Sequence, residues 1–520
     1  MKLPRVSTVF AAPEHARLRR ERLTDGYIIT ILCVFPLFPG FSGYQNITEA
    51  KYLFFLISTA AWLTAGLALT LLGGLKDRRR SAAPLCCGLF WLSCCASALC
   101  SPWRGGTLLG AGRYDGLLTL SAYAACFLGM AFWSRPKKSH VLAFGAGMTL
   151  CCTVGAAQLL NIDPLGLFPG GLTYYDRDVL YSGAYLTTLG NTNVLDAVLS
   201  AALPLFAACY VLEGWTSLLP PLFFCAAILG TVRGDGAAVA LGLCCLVGAP
   251  LLLTDRKRVQ RALRCAGTVL AGLCLAFAYR PEYTDRVLTP RLRAGPAALS
   301  ALAAAAICCA ASFLRLWETE QKPPPLRRIM LGLDAAVLLG GLLTVYLWPG
   351  ESGTLYELKC LLHGELREEF GSSRLGIWRE CLKMVPERPL LGGGPGTLPL
   401  RLDIRFSRYV PETGGTLRSY VDNAHSVFLG YLVNCGSLCL TAYLALLVSC
   451  GFSARRGGAL AAALAFSVLG GAIHSCFGLG LCLSEPVFWT LLGMLAACGV
   501  SGRDNRRGED SEDDQEEVHP

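Results

Sequence analysis

The residues best suited to chemistry crowd one stretch of the chain. Arg367, Arg374, Arg379, Lys383, Arg388, Arg401, Arg405, Arg408 and Arg418 all fall within residues 349–425, which close on Asp422-Asn423-Ala424-His425. A guanidinium offers two parallel, charge-assisted hydrogen bonds from a planar fork, which matches phosphate oxygens. An imidazole, with an ordinary pKa of about 6.5, suits proton acceptance at neutral pH. Together they suit capture of an anionic ligand and deprotonation of a group beside it. The plainer alternative is a solvated loop whose arginines pair with Glu365, Glu368, Glu369, Glu380 and Glu387, with His425 a structural residue at a helix entrance. At this level both readings stay open.

Within this stretch, Ser372-Ser373-Arg374-Leu375-Gly376-Ile377-Trp378 predicts the start of a short helix with a serine available as N-cap. Arg374 and Trp378 are four apart and share a face. Ile377, Cys381, Leu382 and Val385 form an apolar side that fits a helix lying on a bilayer. Arg388-Pro389-Leu390-Leu391-Gly392-Gly393-Gly394-Pro395-Gly396 reads as a turn. No strand precedes it, which excludes a dinucleotide fingerprint. Among the other histidines, His474 is a second, weaker candidate. His363 lies in the polar loop, His140 in a basic cluster, and His15 and His519 near the termini.

The elements that must hold these groups are apolar helices. Of 520 residues, 53% are apolar and 16% charged, and mean hydropathy is +0.47, more than a soluble core can hide. Apolar runs long enough to cross about 30 Å of hydrocarbon recur from 25–43 to 485–500, giving about fourteen passes, or 12–14 allowing for short runs. They lack the alternation of a barrel, so the expected fold is an all-α polytopic membrane protein. The chain divides into a cytoplasmic segment 1–24, a helix bundle 25–348, an extracytoplasmic loop 349–425 holding short helices, further spans 426–502 and a disordered acidic tail 503–520. The basic N-terminus leads into an uncleaved first span.

Basic clusters such as Lys76–Arg78–Arg79–Arg80, Arg135–Lys137–Lys138 and Arg256–Lys257–Arg258 fall on alternate loops, placing them and both termini in the cytoplasm. The net charge of +9 therefore reports topology in an inner membrane and argues against a nucleic-acid partner. The 25 cysteines, many in adjacent pairs within apolar runs, read as small packing residues and not as a disulfide framework or a metal motif.

Several of these motifs, in this order, resemble the O-antigen ligase/polymerase superfamily of bacterial envelope proteins. They are GRYDGLLT at 112–119, GNTNVLDAVLSAALPL at 190–205, SSRLGIWRECLKMVPERPLLGGGPG from 372, and VDNAHSVFLGYLVNCGSLCLTAYLALL from 421. The resemblance implies a GT-C-like, metal-independent transferase needing no cofactor. Its donor would be a glycan on undecaprenyl pyrophosphate at the outer leaflet, its acceptor a hydroxyl of a glycan or lipid. It implies catalytic roles for Arg374, on the diphosphate, and His425, on the acceptor or the leaving group. It also implies substrate-binding roles for Arg113, Asn191, Asn193, Arg233, Trp378 and Asn423. The chain departs from the family pattern at Thr192, Val232 and Ser426, where proline, serine and asparagine are usual.

Fixed donors aimed at a departing diphosphate would lower the barrier without a metal, and no Asp-x-Asp pair stands on a cytoplasmic loop. A non-enzymatic transporter or flippase of lipid-linked glycans is the main rival. It would require polar groups deep in several spans, where the sequence offers only Asp196 and Asp334. A structural or regulatory envelope protein with a degenerate site is the third reading. Polymerase and ligase are not separable at this level.

Overall fold

A computed structural model of the chain describes residues 6–73, 82–176, 181, 183–232, 235–284, 287–292, 303–306, 308, 326–402, 405–410, 415–455 and 457–499. Among them nine helices are long and apolar enough to cross a membrane. Three shorter apolar helices, Leu117–Trp133, Thr216–Thr231 and Glu485–Gly499, stand with them. The all-α polytopic expectation is met. The span expected near 297–314 falls largely outside the described residues, as does the acidic tail.

Seven helices matter for the site: α1 (Ala82–Leu99), α2 (Thr192–Glu213), α3 (Asp235–Leu252), α4 (Arg374–Met384), α5 (Val427–Ala454), α6 (Gly458–Ser475) and α7 (Glu485–Gly499). The rod at the centre is α2, buried along most of its length, with α6 on one side and α3 on another. Close approach of α2 and α6 depends on Gly470, where a Cβ would stand 2.1 Å from the Ser200 carbonyl oxygen. Leucines and isoleucines such as Ile57, Leu71 and Leu339 point outward from peripheral helices, an apolar surface suited to lipid and not to water.

The spans are less free of charge than the sequence reading held. Lys51 is fully buried and donates to the carbonyls of Phe35 at 2.7 Å and Pro36 at 3.4 Å. These carbonyls follow the π-helical turn Thr30–Val34, where regular backbone pairing lapses. Glu485, also buried, accepts from Trp489 Nε1 at 3.1 Å. Both residues sit at the ends of apolar runs, where a sequence boundary hides them.

The break in α5 organises the region around the site. Gly436 adopts φ +84°, and on either side the backbone turns to the glycine-rich stretch 388–396 for partners. Gly393 N donates to Val433 O at 3.1 Å and Gly394 N to Asn434 O at 2.7 Å; in return Ser437 N donates to Pro389 O at 2.9 Å. What sequence reads as a surface turn is a plug in a broken helix. Irregular backbone at membrane depth is tolerated only where protein covers it, because each unpaired group costs several kcal/mol in hydrocarbon. Gly436→Ala would force a side chain into the left-handed region and set its Cβ 2.1 Å from Leu390 O. Strain alone costs about 1–3 kcal/mol, so a lowered thermal midpoint in detergent, with insertion intact, is the expected result.

The loop 349–425 holds the expected short helices, Thr354–Leu362 and α4, and also a hairpin, Arg405–Val410 with Gly415–Tyr420. A second hairpin pairs Tyr279–Thr284 with Val287–Leu292. Among the described residues each hairpin is a two-stranded sheet with open edges, which polar surroundings allow and hydrocarbon does not. The apolar side of α4 is covered by protein and not left for a bilayer. Ile377 and Cys381 are buried with Leu398, Val421, Ala424 and Val433, while Leu382 stays exposed.

Candidate functional site

Four helix amino ends gather around the loop. Arg374 is the first residue of α4, Thr192 and Asn193 open α2, Asp235 opens α3, and Ser426 precedes α5. The first three ends line one polar cavity of about 190 Å³, together with Asp196, Ser372 and His474. Free amides and the helix dipole make such ends attractive to anions, and an arginine among them adds a full charge. Two carboxylates also face the cavity. Asp196 accepts from Ala237 N at 3.0 Å, and its other oxygen lies 3.5 Å from His474 Nε2, so it is engaged within the protein. Asp235 sits at the exposed rim, 3.4 Å from Thr354 Oγ1.

Arg374 is held in a particular way. Ser372 and Ser373 both have positive φ, 58° and 67°, a strained entry that sets the first turn of α4. Ser373 occupies the N-cap position, as the sequence suggests, but its side chain makes no capping bond. Arg374 Nη1 donates to Gly371 O at 3.0 Å, while buried Nε has no hydrogen-bond partner among the described residues. Burial pulls the guanidinium pKa down, and Asp235, Asp196 and Glu357 oppose this. The side chain stays charged, with donors available to a ligand.

His425 lies where the loop meets α5. Its backbone has φ 49°, and its amide donates to Asn423 Oδ1 at 3.0 Å, a local turn that fixes the residue. Burial, then the charges of Arg374 and Arg113, push the imidazole pKa down to about 4, with Asp422 opposing. At neutral pH the ring is uncharged and able to accept a proton. Ser426, which departs from the family pattern, has a clear role: its hydroxyl caps α5 by accepting from Leu429 N at 3.3 Å.

The remaining sequence candidates divide into positioning groups and cavity groups. Arg113 Nε meets Asp422 Oδ2 at 2.6 Å, joining the GRYDG loop to the segment that carries His425. Trp378 Nε1 donates to Ala424 O at 3.0 Å, so its indole steadies the same segment. Asn191 caps α2 by accepting from Asn193 N at 2.8 Å, and Asn193 itself lines the cavity. Asn423 borders a second cavity of about 50 Å³, shared with Asp115, Ser426 and Glu485. Arg233 lies outside the described residues. Trp378→Phe keeps the ring and removes the donor; a loss of about 1 kcal/mol is expected, read as a lower thermal midpoint.

Five other basic residues of the loop are engaged within the protein, three of them with the glutamates of the plainer alternative; the side chains of Arg405, Arg408 and Arg418 lie outside the described residues. Arg367 pairs with Glu365, Arg379 with Glu368 and Lys383 with Glu380. Arg388 donates to Cys100 O, and Arg401 to Val433 O and Asn434 Oδ1. His363 stacks on Tyr346, and His140 pairs with Asp25. Sequence reasoning missed Asp115, whose carboxyl burial pushes up to about 6, and the pairing of Asp196 with His474. Asp115 stands two residues from Arg113 in the same motif, which was the available signal.

Residues 293–444 match the family described as O-antigen ligase. The match spans a little under a third of the chain and includes Arg374, Trp378, Asn423 and His425, but not Arg113, Asn191, Asn193 or Arg233. It supports a membrane glycosyltransferase of the ligase/polymerase type. No curated protein matches the chain.

Proposed function

We propose, with the O-antigen ligase domain of residues 293–444 as the premise, that this chain moves a glycan from a polyprenyl diphosphate to an acceptor hydroxyl at the outer face of the cytoplasmic membrane. The observation that carries the proposal is the polar cavity onto which Arg374 and three helix amino ends open, with His425 outside its lining but close enough for the Arg374 charge to hold the imidazole neutral. The acceptor oxygen forms a bond to the anomeric carbon as the bond from that carbon to the diphosphate oxygen breaks. The hydroxyl proton passes to His425, and the electron pair leaves with the diphosphate, whose growing charge Arg374 stabilises. These steps draw on no metal. In this reading Asn193, which lines the cavity, contacts the donor, while Arg113, Trp378 and Asn423 hold the histidine segment in register.

The test is the purified protein in detergent, given a lipid-linked glycan donor and a hydroxyl acceptor. Formation of the new glycosidic bond supports the transferase. Movement of donor across vesicles without bond formation supports the transporter instead. A cysteine placed in 349–425 should react with a membrane-impermeant reagent added outside; reaction only from the cytoplasmic side would sink the proposal.

A further inference from the structure

Three thiols converge at the break in α5. Cys435 and Cys439 flank Gly436, and Cys94 reaches them from α1 packed alongside. Their sulfur atoms all lie within 4.8 Å of one another, Cys94 Sγ and Cys439 Sγ are 3.6 Å apart, and all three residues are buried. Packing alone accounts for pairs such as Cys86–Cys87, whose side chains diverge, but it does not require sulfurs from two helices to meet at one point. Sulfurs that share one zinc ion at about 2.3 Å stand about 3.7–4.0 Å from each other. The observed spacing is within a small side-chain adjustment of that arrangement.

We propose that Cys94, Cys435 and Cys439 form a structural Zn²⁺ site that ties α1 to both sides of the broken helix α5. Three soft sulfur donors favour zinc over hard cations such as Mg²⁺ or Ca²⁺. Binding converts three thiols to thiolates, releases three protons and leaves a net charge of −1 on the cluster. Arg401 balances it. Its guanidinium donates to Val433 O at 3.1 Å and Asn434 Oδ1 at 3.0 Å, adjacent to Cys435. A monovalent copper ion with the same three thiolates would leave −2, one charge more than this arginine offsets. Entry is available through the 50 Å³ cavity, which Cys435 lines together with Asp115, and where Asp115 Oδ1 is buried without a hydrogen-bond partner among the described residues. A water from that cavity supplies the fourth ligand. The ion acts on architecture, not on glycan transfer: it pins the break into which residues 388–396 are plugged.

The test uses the full chain with the exposed Cys100, Cys245 and Cys476 replaced by serine, purified reduced and titrated with Zn²⁺ alone. Cd²⁺ serves as a second probe, read by sulfur-to-cadmium charge-transfer absorption. One tight equivalent per chain, thiolate absorption and a raised thermal midpoint are expected. Cys94→Ser and Cys439→Ser should each weaken the tight site at least tenfold, whereas Cys450→Ser, on the same helix but outside the cluster, should not. Absence of a tight equivalent in the starting chain overturns the proposal, as does unchanged binding in both cluster variants. Because the first of these outcomes needs no cluster variant, misfolding of a variant cannot conceal the answer.

Discussion

Arg374→Ala is expected to lower glycan transfer by about 10²–10³-fold, the effect typical of removing one fixed donor from a developing anion. The variant should still insert and express, because among the described residues the wild-type side chain makes one hydrogen bond, to Gly371 O. Arg374→Lys retains the charge and loses the fork, so it should recover only a small part of the activity. A planar guanidinium can bridge two diphosphate oxygens, whereas an ammonium addresses one at a time. Initial rates with purified variants and a fixed donor would decide the matter. Activity within a few-fold of wild type in Arg374→Ala would remove the arginine from the mechanism.

His425→Ala should cost about 10²–10⁴-fold, the range for loss of a positioned general base. The pH dependence is more diagnostic. With the free imidazole pushed down to about 4, the neutral, proton-accepting form prevails above that value. The acid limb of kcat/KM, which reports the free protein, should therefore lie near pH 4 and not near the ordinary histidine value. Donor binding places negative charge beside Arg374 and cancels part of the field that depresses the ring. The acid limb of kcat, which reports the complex, should then lie at higher pH. Arg113→Gln removes one depressing charge and leaves Asp422 unpaired, and both changes raise the histidine pKa. In that variant the kcat/KM limb should move upward; a limb that stays in place would show that His425 is not the titrating base.

Much of the architecture is legible in the sequence because the bilayer permits few solutions. Apolar runs such as 193–212 and 426–450 become α2 and α5 with modest boundary shifts. Arg374 and His425 could be singled out because each stands where its chemistry is out of place for a span and in place for a helix entrance. Other features depend on contacts that no local pattern encodes. Gly436 looks like any glycine in a membrane helix, and only the docking of 388–396 requires its positive φ. Cys94 and Cys439 are separated by 345 positions, so their meeting is invisible to a reading based on spacing. The paired arginines of the loop show the reverse case. Their number fits either an anion site or a loop of paired charges, and Arg367, Arg379, Arg388 and Arg401 are each engaged within the protein.

The plugged helix also says which pieces of this chain can be exchanged as a unit. Residues 388–396 and 433–438 are stitched through their main chains, so neither half carries its partners with it when moved alone. A chimera that imports a foreign 349–425 segment to change what is made must therefore import the matching stretch of α5 as well. Engineers who cut at the visible edge of the membrane would divide the seam and leave raw backbone in oil. Those who cut after residue 438 would keep it whole.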